Sequence, residues 1–340
     1  MKKDVLVKNV KIGEGAPVSV QSMTNTSTAD VKATLAQIAR LKDAGAEIVR
    51  VSVPDRAAAE ALKTIVRETD VPIVADIHYD ADLAIKSLEA GAHKLRLNPS
   101  NMPADRLKDV ARALIERNVP VRVGVNEGSV KREVSAAELA ALAVDSAKRL
   151  EDLGVENIVL AVKSSDVKKT VEAYRALDKL TDHPLHIGLT EAGTVRTGSV
   201  KSAIAVGSLL LDGIGDTMRI SLAGDPVKEV EWGIRILRAA GVRKDFVEVI
   251  ACPTCSRTTI DVHAYAERLE ELTEKCRASL KVAVMGCAVN GIGESRGAEI
   301  GVCGGRERSL LFKDGVPFRE VPNESVLAEL EALIREKTGE

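Results

Sequence analysis

The chain has 340 residues, more than the roughly 250–300 that one hydrophobic core usually reaches, so we expect one large domain and one smaller domain. Its formal net charge is −2, from 48 basic and 50 acidic residues, and no polybasic segment stands out. Aromatic residues make up only 2% of the chain. This composition excludes a protein that binds mainly nucleic acid or an anionic membrane.

The sequence contains no apolar run long enough to span a bilayer, and its start, MKKDVLVKNV, lacks the pattern of a signal peptide. We therefore expect a cytoplasmic protein, or the mature form of an organellar one. The chain has five cysteines. In a reducing compartment such a small, odd number is typical of metal or redox sites rather than of disulfides.

A repeated unit, a β-rich run followed by an alanine-rich amphipathic stretch, dominates about the first 240 residues. The strand candidates are residues 18–23, 48–53, 72–77, 94–98, 121–126, 157–163, 186–190 and 216–222. The helical patterns lie at about 30–44, 57–68, 81–90, 104–118, 136–153, 166–180, 197–211 and 226–240. Asp30, Ser135 and Asp166 are the N-cap candidates.

Eight alternating units predict an α/β fold with a closed (β/α)₈ TIM-like barrel. An open α/β sheet is the alternative, weakened because no G-x-G-x-x-G follows the first strand. The pattern changes near residue 243, so we expect a barrel over 1–243 and a small α+β domain over 244–340. In the second domain a helix is predicted at 261–276, a terminal helix at 323–337, and a hairpin in LLFKDGVPFREV.

Several predicted barrel strands carry a cation among apolar residues, although such strands are usually apolar throughout. These cations are Arg50, Arg96, Arg122, Lys163 and Arg219. Unpaired buried cations are costly, so they require anionic partners. A single arginine is most simply explained by an internal ion pair. Five cations near the C-terminal ends of five strands, where barrel active sites lie, indicate a ligand with several phosphate oxygens, such as a diphosphate.

Other polar residues end the same strands and are candidates for acid–base catalysis or for binding substrate hydroxyls. They are Asp76, His78, Asn98, Asn126, Glu191 and Ser221. Asp76 and His78 could equally form a structural hydrogen-bonded pair.

The cysteines suggest a metal site in the second domain. Cys252-x-x-Cys255 alone fits half of a zinc site, a redox dithiol or half of an iron–sulfur site. Cys287 lies where a strand gives way to what we expect to be a glycine-rich loop, a backbone that can approach cluster sulfurs closely. Spacing leaves three candidates for a fourth ligand, Cys276, Glu294 and Cys303.

Eight motifs, in chain order, resemble those of the 4-hydroxy-3-methylbut-2-enyl diphosphate synthases of the methylerythritol phosphate route to isoprenoids. They are VSVQSMTNT, ADIHYD, KLRLNP, VRVGVN, GLTEAG, DTMRISL, CPTCSR and MGCAVNGIGE. The resemblance covers nearly the whole chain and is to the compact two-domain bacterial form. It implies an iron–sulfur oxidoreductase that reductively opens 2-C-methyl-D-erythritol 2,4-cyclodiphosphate to (E)-4-hydroxy-3-methylbut-2-enyl diphosphate.

The resemblance also implies a role for each matching residue. The diphosphate would be held by Arg50, Arg96, Arg122, Lys163, Arg219 and Ser221, with Asp76 and His78 at the barrel mouth. Three residues would act near the reacting carbons, with Glu191 as a candidate proton donor: Asn126, Glu191 and Asn290. A 4Fe–4S cluster, reduced by a flavodoxin or ferredoxin, would be bound by Cys252, Cys255, Cys287 and Glu294.

Two residues depart from the family pattern. Ser256 replaces the usual glycine after the second cysteine, and Ile292 replaces the usual proline before the glutamate. Neither change removes a ligand, but both could alter loop rigidity or cluster exposure. Cys303 has no assigned family role. Family members are homodimers in which the cluster domain of one subunit caps the barrel of the other, and the short linker near residue 243 agrees with that arrangement.

Two other functions compete with this one. A phosphate-binding aldolase or isomerase with a structural zinc tail is weakened because three cysteines and a carboxylate are unusual for structural zinc. Lys163 is also its only Schiff-base candidate. A non-enzymatic iron–sulfur sensor or nucleic-acid regulator is weakened by the near-neutral charge and the scarcity of aromatic residues.

Overall fold

The computed structural model describes residues 3–130 and 132–339. The chain divides into two compact units, Met1–Val242 and Arg243–Glu340. Each unit has its own hydrophobic core, and each is described separately below.

The first unit begins with an antiparallel hairpin, β1 (Asp4–Val7) and β2 (Val10–Gly13), which the sequence analysis did not predict. Eight parallel strands follow: β3 (Ser19–Met23), β4 (Ile48–Ser52), β5 (Ile73–Asp76), β6 (Lys94–Leu97), β7 (Val121–Asn126), β8 (Ile158–Lys163), β9 (His186–Ile187) and β10 (Thr217–Met218). Their order in the sheet is β8-β7-β6-β5-β4-β3-β10-β9.

A bridge between Leu160 of β8 and Leu185, just before β9, joins the two ends of this sheet. The Leu160 amide also donates to the Pro184 carbonyl at 2.9 Å. The predicted barrel is therefore confirmed over the open-sheet alternative. Two strands are shorter than predicted. β9 ends at Ile187 because Gly188 takes a φ of 156°, and Arg219 lies one residue beyond β10.

Helices alternate with the barrel strands as predicted. They are α1 (Val31–Asp43), α2 (Arg56–Glu68), α3 (Ala81–Glu89), α4 (Ala104–Arg117), α5 (Ala136–Glu151), α6 (Val167–Leu180), α7 (Val195–Leu211) and α8 (Pro226–Ala239). The three predicted N-caps, Asp30, Ser135 and Asp166, each accept a backbone N–H in the first helical turn. No helix in the described ranges has both the length and the apolar character needed to cross a bilayer.

The hairpin closes the N-terminal end of the barrel. Its buried side chains form one apolar cluster with residues at the start of three barrel strands, and the members are Val5, Val7, Ile12, Ile48, Val74 and Val159. Because a parallel barrel is otherwise open at both ends, this cluster leaves only the C-terminal end accessible to a ligand.

The second unit is built on a five-stranded sheet in the order β11-β12-β13-β14-β15. The strands are β11 (Val247–Ala251), β12 (Leu280–Met285), β13 (Ile300–Cys303), β14 (Arg308–Lys313) and β15 (Val316–Pro322), and the helices are α9 (Val262–Thr273), α10 (Ala288–Arg296) and α11 (Val326–Thr338). The first three strands run parallel, and the last two are antiparallel. The predicted hairpin is confirmed, with Asp314 and Gly315 at positive φ in its turn.

One prediction for this unit is wrong: the segment after Cys287 is the helix α10 and not a loop. Gly291 of α10 permits close packing of this helix on the sheet. A Cβ on Gly291 would lie 2.7 Å from the Cys303 sulfur, and a Cβ on Gly301 would lie 2.6 Å from that of Ser295. Gly291, one of the glycines that suggested a loop, therefore serves helix–strand contact.

Candidate active site

The five predicted cations lie in one compartment inside the barrel. Four of them, Arg50, Arg96, Arg122 and Lys163, are at most 9% exposed. Burial lowers the pKa of Lys163 well below its ordinary value, and the charges of Arg122, Arg219, Arg50 and Arg96 lower it further. These mutual effects mean that the cations share one electrostatic environment; we call the five together the cation ring.

Two inward-facing glycines make room for the cationic groups. A Cβ on Gly124 would lie 3.3 Å from Arg96 Nε and 3.6 Å from Arg122 Nη2. A Cβ on Gly188 would lie only 2.7 Å from Lys163 Nζ. Arg122 is the second residue of β7, so its backbone lies near the start of the strand. The prediction that it lies near the C-terminal end is therefore wrong for its backbone. Its guanidinium nevertheless extends toward that end, because Gly124 leaves the space beside it vacant.

Asp76 is the carboxylate that orders the centre of the cation ring. Its Oδ1 lies 3.1 Å from Arg96 Nη1, and its Oδ2 lies 3.8 Å from Arg50 Nε. Burial would raise the pKa of Asp76, but Arg50, His78 and Arg96 together outweigh that effect and hold the pKa well below its usual range. His78 Nε2 is 3.6 Å from Asp76 Oδ2, too far for a strong hydrogen bond. Asp76 is therefore chiefly a partner of arginines and not of His78.

Glu229 of α8 is the second buried carboxylate, and the sequence analysis missed it. It receives two hydrogen bonds from Arg219, Nε to Oε2 and Nη2 to Oε1, each 3.0 Å long. Ser22 Oγ and the Leu222 amide donate to the same carboxylate at 3.2 and 3.0 Å. This bidentate arrangement fixes the plane of the Arg219 guanidinium.

Buried positive charge exceeds buried negative charge in this compartment. Four arginines supply that excess, and Lys94 of β6, which the sequence analysis also missed, adds a second lysine, which is fully buried. Among the residues that the structure describes, the buried carboxylates paired with these cations are Asp76 and Glu229. Since unpaired buried charges are costly, the compartment is complementary to a multiply charged anion.

The remaining predicted barrel residues lie at the ends of strands. Asn126 ends β7 and pairs in register with Lys163, so it neighbours the cation ring. Glu191 is exposed and takes a left-handed φ of 51°, a conformation that costs a non-glycine residue about 1–3 kcal/mol. Ser221 is half-buried two residues beyond Arg219. Asn98 caps a short turn after β6 by accepting from the Ser100 amide at 3.1 Å.

The three predicted cysteine ligands lie on two segments joined by hydrogen bonds. The Gly286 amide donates to Cys252 Sγ at 3.2 Å, and Thr259 donates from its amide and its hydroxyl to the Gly286 carbonyl. Cys255 is exposed, while Cys287 is half-buried and is the N-cap residue of α10. The first cysteine pair and Cys287 are therefore held beside one another.

Helix α10 places three predicted residues at helical spacing. Cys287, Asn290 and Glu294 follow each other at intervals of three and four residues, which puts them along one face of the helix. Asn290 and Glu294 are both exposed. Cys303 lies behind this helix, with its sulfur 3.4 Å from Ser295 Oγ. Within residues 3–130 and 132–339, no three His, Cys, Asp or Glu side chains converge on a point that would hold a single metal ion.

Comparison with known proteins gives matches over both units. Residues 2–234 match the family model of the GcpE TIM-barrel domain, and residues 248–336 match that of the GcpE protein C-terminal domain. Dihydropteroate synthases share the barrel fold at low identity. The one from Stenotrophomonas maltophilia is 15% identical with a TM-score of 0.55, covering 70% of this chain and 98% of that chain.

Relatives with curated names are similar over nearly their whole length. The 4-hydroxy-3-methylbut-2-en-1-yl diphosphate synthase (flavodoxin) of Thermotoga maritima is 49% identical over 99% of this chain and 98% of its own. The enzymes of the same name from Geobacter sulfurreducens and Caldanaerobacter subterraneus are each 48% identical, over 98% and 96% of this chain and 98% and 95% of their own. With both domains matched in chain order, this chain belongs to the GcpE family.

Proposed function

We propose that this chain catalyses the reaction for which its relatives are named, the formation of (E)-4-hydroxy-3-methylbut-2-enyl diphosphate in the methylerythritol phosphate route to isoprenoid precursors. Its substrate is 2-C-methyl-D-erythritol 2,4-cyclodiphosphate. The ring takes up two electrons and two protons, its C–O bond to phosphate breaks, and one water leaves. The observation that carries the proposal is the buried excess of cations in the barrel, which suits a diphosphate.

The diphosphate is bound by side chains that are already fixed before it arrives. We assign its phosphate oxygens to Arg50, Arg96, Arg122, Lys163, Arg219 and Ser221. Asp76 and Glu229 support this assignment, because they orient three of these guanidinium groups without neutralising the whole cation ring. Binding to prearranged donors leaves less conformational entropy to lose.

The carbon end of the substrate then faces the open end of the barrel, because the hairpin closes the other end. Asn126 is placed to contact it, since it lies beside Lys163. Glu191 is assigned as the proton donor to the reacting carbons or to the departing hydroxyl. Its exposure and its left-handed backbone support this role, because strained backbone is concentrated at functional sites. His78 lies at the same end and is half-exposed.

The second unit fits a 4Fe–4S cluster by its donor set. Each iron of such a cluster takes its own protein ligand, so the ligands surround the cluster and need not converge on one point. Cys252, Cys255 and Cys287 are all free thiols, and the Gly286 amide already donates to one of these sulfurs. We assign these three cysteines and Glu294 as the ligands. When bound, the cluster supplies electrons to the substrate one at a time.

Asn290 is assigned to the same surface as the ligands, because it precedes Glu294 by one helical turn. We further propose that a flavodoxin, named for the relatives, or a ferredoxin supplies the electrons. We also propose a homodimer in which the second unit of one subunit caps the barrel of its partner. The short connection supports this, because only residues 240–246 separate α8 from β11.

The proposal is tested on protein purified without oxygen. Iron, labile sulfide and zinc are assayed, and a visible spectrum is recorded. We expect about four irons and four sulfides per chain and a brown protein. A colourless protein with one zinc and no labile sulfide would favour the aldolase or isomerase class instead.

The variant Arg219→Ala distinguishes the role of the barrel from that of the second unit in the same measurements. It should abolish binding of the cyclodiphosphate and leave the cluster spectrum unchanged, because Arg219 belongs to the barrel. Arg112→Ala is the matched control, since that side chain is 69% exposed on α4. Loss of the cluster in Arg219→Ala alone would show that its assigned role is wrong.

A further inference from the structure

Lys94 lies at the closed end of the barrel. It is the first residue of β6 and pairs in register with Val74, which packs against the N-terminal hairpin. Two residues further along the strand, on the same inward face, is Arg96. Lys94 is fully buried, and its Nζ has no hydrogen-bond partner in the part of the chain that the structure describes.

Neighbouring inward side chains share this lack of partners. Both amide atoms of Gln21, both ring nitrogens of His186 and Nε of Arg122 are also buried without a hydrogen bond within the described ranges. Each such group costs about 1–3 kcal/mol when left unsatisfied. These atoms all belong to strands of one barrel, and Arg122, a member of the cation ring, is among them.

The charges around Lys94 are predominantly positive. The titratable and charged groups packed around the barrel interior are Arg50 of β4, Asp76 of β5, Arg96 of β6, Arg122 of β7, Lys163 of β8, Tyr174 of α6, His186 of β9, Arg219 after β10 and Glu229 of α8. Both carboxylates are already paired with arginines. Burial lowers the pKa of His186 well below its ordinary value, so its ring is neutral.

An arginine keeps its proton in proteins, so the two buried lysines, Lys94 and Lys163, are the groups that can give up charge in such a compartment. Burial, together with the charges of Arg122 and Arg50, lowers the pKa of Lys94 to about 7. A diphosphate in the cation ring adds several negative charges to the same low-dielectric space. It therefore favours the ammonium form of Lys94.

We propose that Lys94 is a charge-compensating residue that takes up a proton from solvent when a diphosphate binds in the cation ring. The inference rests on the proposed function, since it takes the ring as the diphosphate site. The direction of the pH dependence of affinity follows from the linkage between ligand binding and proton binding. Because the ligand raises the pKa of Lys94, its contribution to affinity is fully present below the pKa in the free protein. That contribution is lost as the pH rises through the higher pKa in the complex.

Calorimetric titration with inorganic pyrophosphate at pH 8 tests this, run in two buffers of different ionisation enthalpy to count the protons taken up. Ligand protonation is the same for every variant, so differences between variants isolate the protein. Wild type should take up close to one proton more than Lys94→Met. Lys63→Met, an exposed lysine on α2, should match wild type.

Lys94→Arg provides a second, charge-conserving variant. Its guanidinium is protonated throughout, so pyrophosphate affinity should fall less steeply with pH than in wild type. The difference should approach about tenfold per pH unit above pH 7. A merely structural lysine would give parallel pH profiles in the two proteins.

Equal proton uptake by wild type, Lys94→Met and Lys94→Arg would overturn the inference and leave the proposed function intact. Failure of wild type to bind pyrophosphate would contradict both. If neither variant folds, the wild-type profile decides: after correction for ligand ionisation, affinity that is constant between pH 7 and 9 contradicts the proposal.

Discussion

In the barrel, Arg96 and Arg219 are held by buried carboxylates, whereas in the second unit Cys255 is exposed and is ordered mainly through its backbone bond to Thr258. The barrel thus fixes its charged groups before any ligand arrives. The second unit brings its thiols together on two short segments and leaves their sulfurs accessible. The comparison indicates that the anion site is preorganised by the fold, while a cluster would itself complete the order of its ligand segments.

The largest expected effect is in the second unit. Cys287→Ala should abolish labile sulfide and visible absorption, because it removes the thiolate of one of the assigned cluster ligands. Pyrophosphate binding to the barrel should be unchanged. Cys276→Ala is the control, since Cys276 is buried in the apolar core of the unit and is not one of the assigned ligands. A Cys287→Ala protein with full sulfide content would contradict the ligand assignment.

A large effect on the barrel is expected from Glu229→Gln, because it removes the buried charge partner of Arg219, whose side chain is only 16% exposed. Breaking a buried pair in this way costs about 3–5 kcal/mol, measurable as a lower free energy of unfolding in urea. Glu231→Gln on the same helix breaks only a surface pair with Lys228 and should cost under about 1 kcal/mol. Similar losses in the two variants would show that Glu229 is not a preorganising group.

The pH dependence of stability tests the same idea at Asp76. Its pKa is depressed in the folded protein, so its contribution to stability is fully present above about 3.9, the unfolded value. The contribution is lost only as the pH falls through the lower folded value. The stability difference between wild type and Asp76→Asn should therefore be constant from pH 5 to 7 and narrow below pH 4. A difference that does not vary with pH would mean that Asp76 acts without its charge.

The smallest expected effect comes from Gly124→Ala. The added Cβ meets Arg96 Nε at 3.3 Å, so the Arg96 guanidinium must shift by a few tenths of an ångström. Pyrophosphate affinity should fall about tenfold, equivalent to roughly 1.4 kcal/mol. Gly207→Ala is the control, because no atom lies within 4 Å of its added Cβ. Unchanged affinity in Gly124→Ala would place the phosphate away from Arg96.

Most of the barrel could be predicted from the sequence, because its signals are local. The alternation of strands and helices recurs eight times, and Asp30, Ser135 and Asp166 mark helix starts by their side-chain chemistry. The hairpin also has a local signal. Val5 and Val7 precede a turn at Lys8, which takes a positive φ, and Val10 and Ile12 follow it, so apolar residues recur at every second position on each strand.

The parts that could not be predicted depend on tertiary contacts. Glu229 is an ordinary helix residue in the sequence, and only the fold brings it to Arg219. Lys94 opens a strand and gives no sign of its burial. In α10, Gly291 and Gly293 each lower helix propensity by about 1 kcal/mol, and close packing on β12 and β13 overrides that preference.

The most direct test of the proposed function follows the phosphorus atoms. The anaerobically purified protein, its cluster content measured, is mixed with the cyclodiphosphate and reduced flavodoxin, and ³¹P NMR is recorded over time. The two ring phosphorus signals should be replaced by those of an open-chain diphosphate ester, at a rate proportional to enzyme. A cluster-loaded protein that binds the cyclodiphosphate but leaves its ring signals unchanged would contradict the proposed reaction.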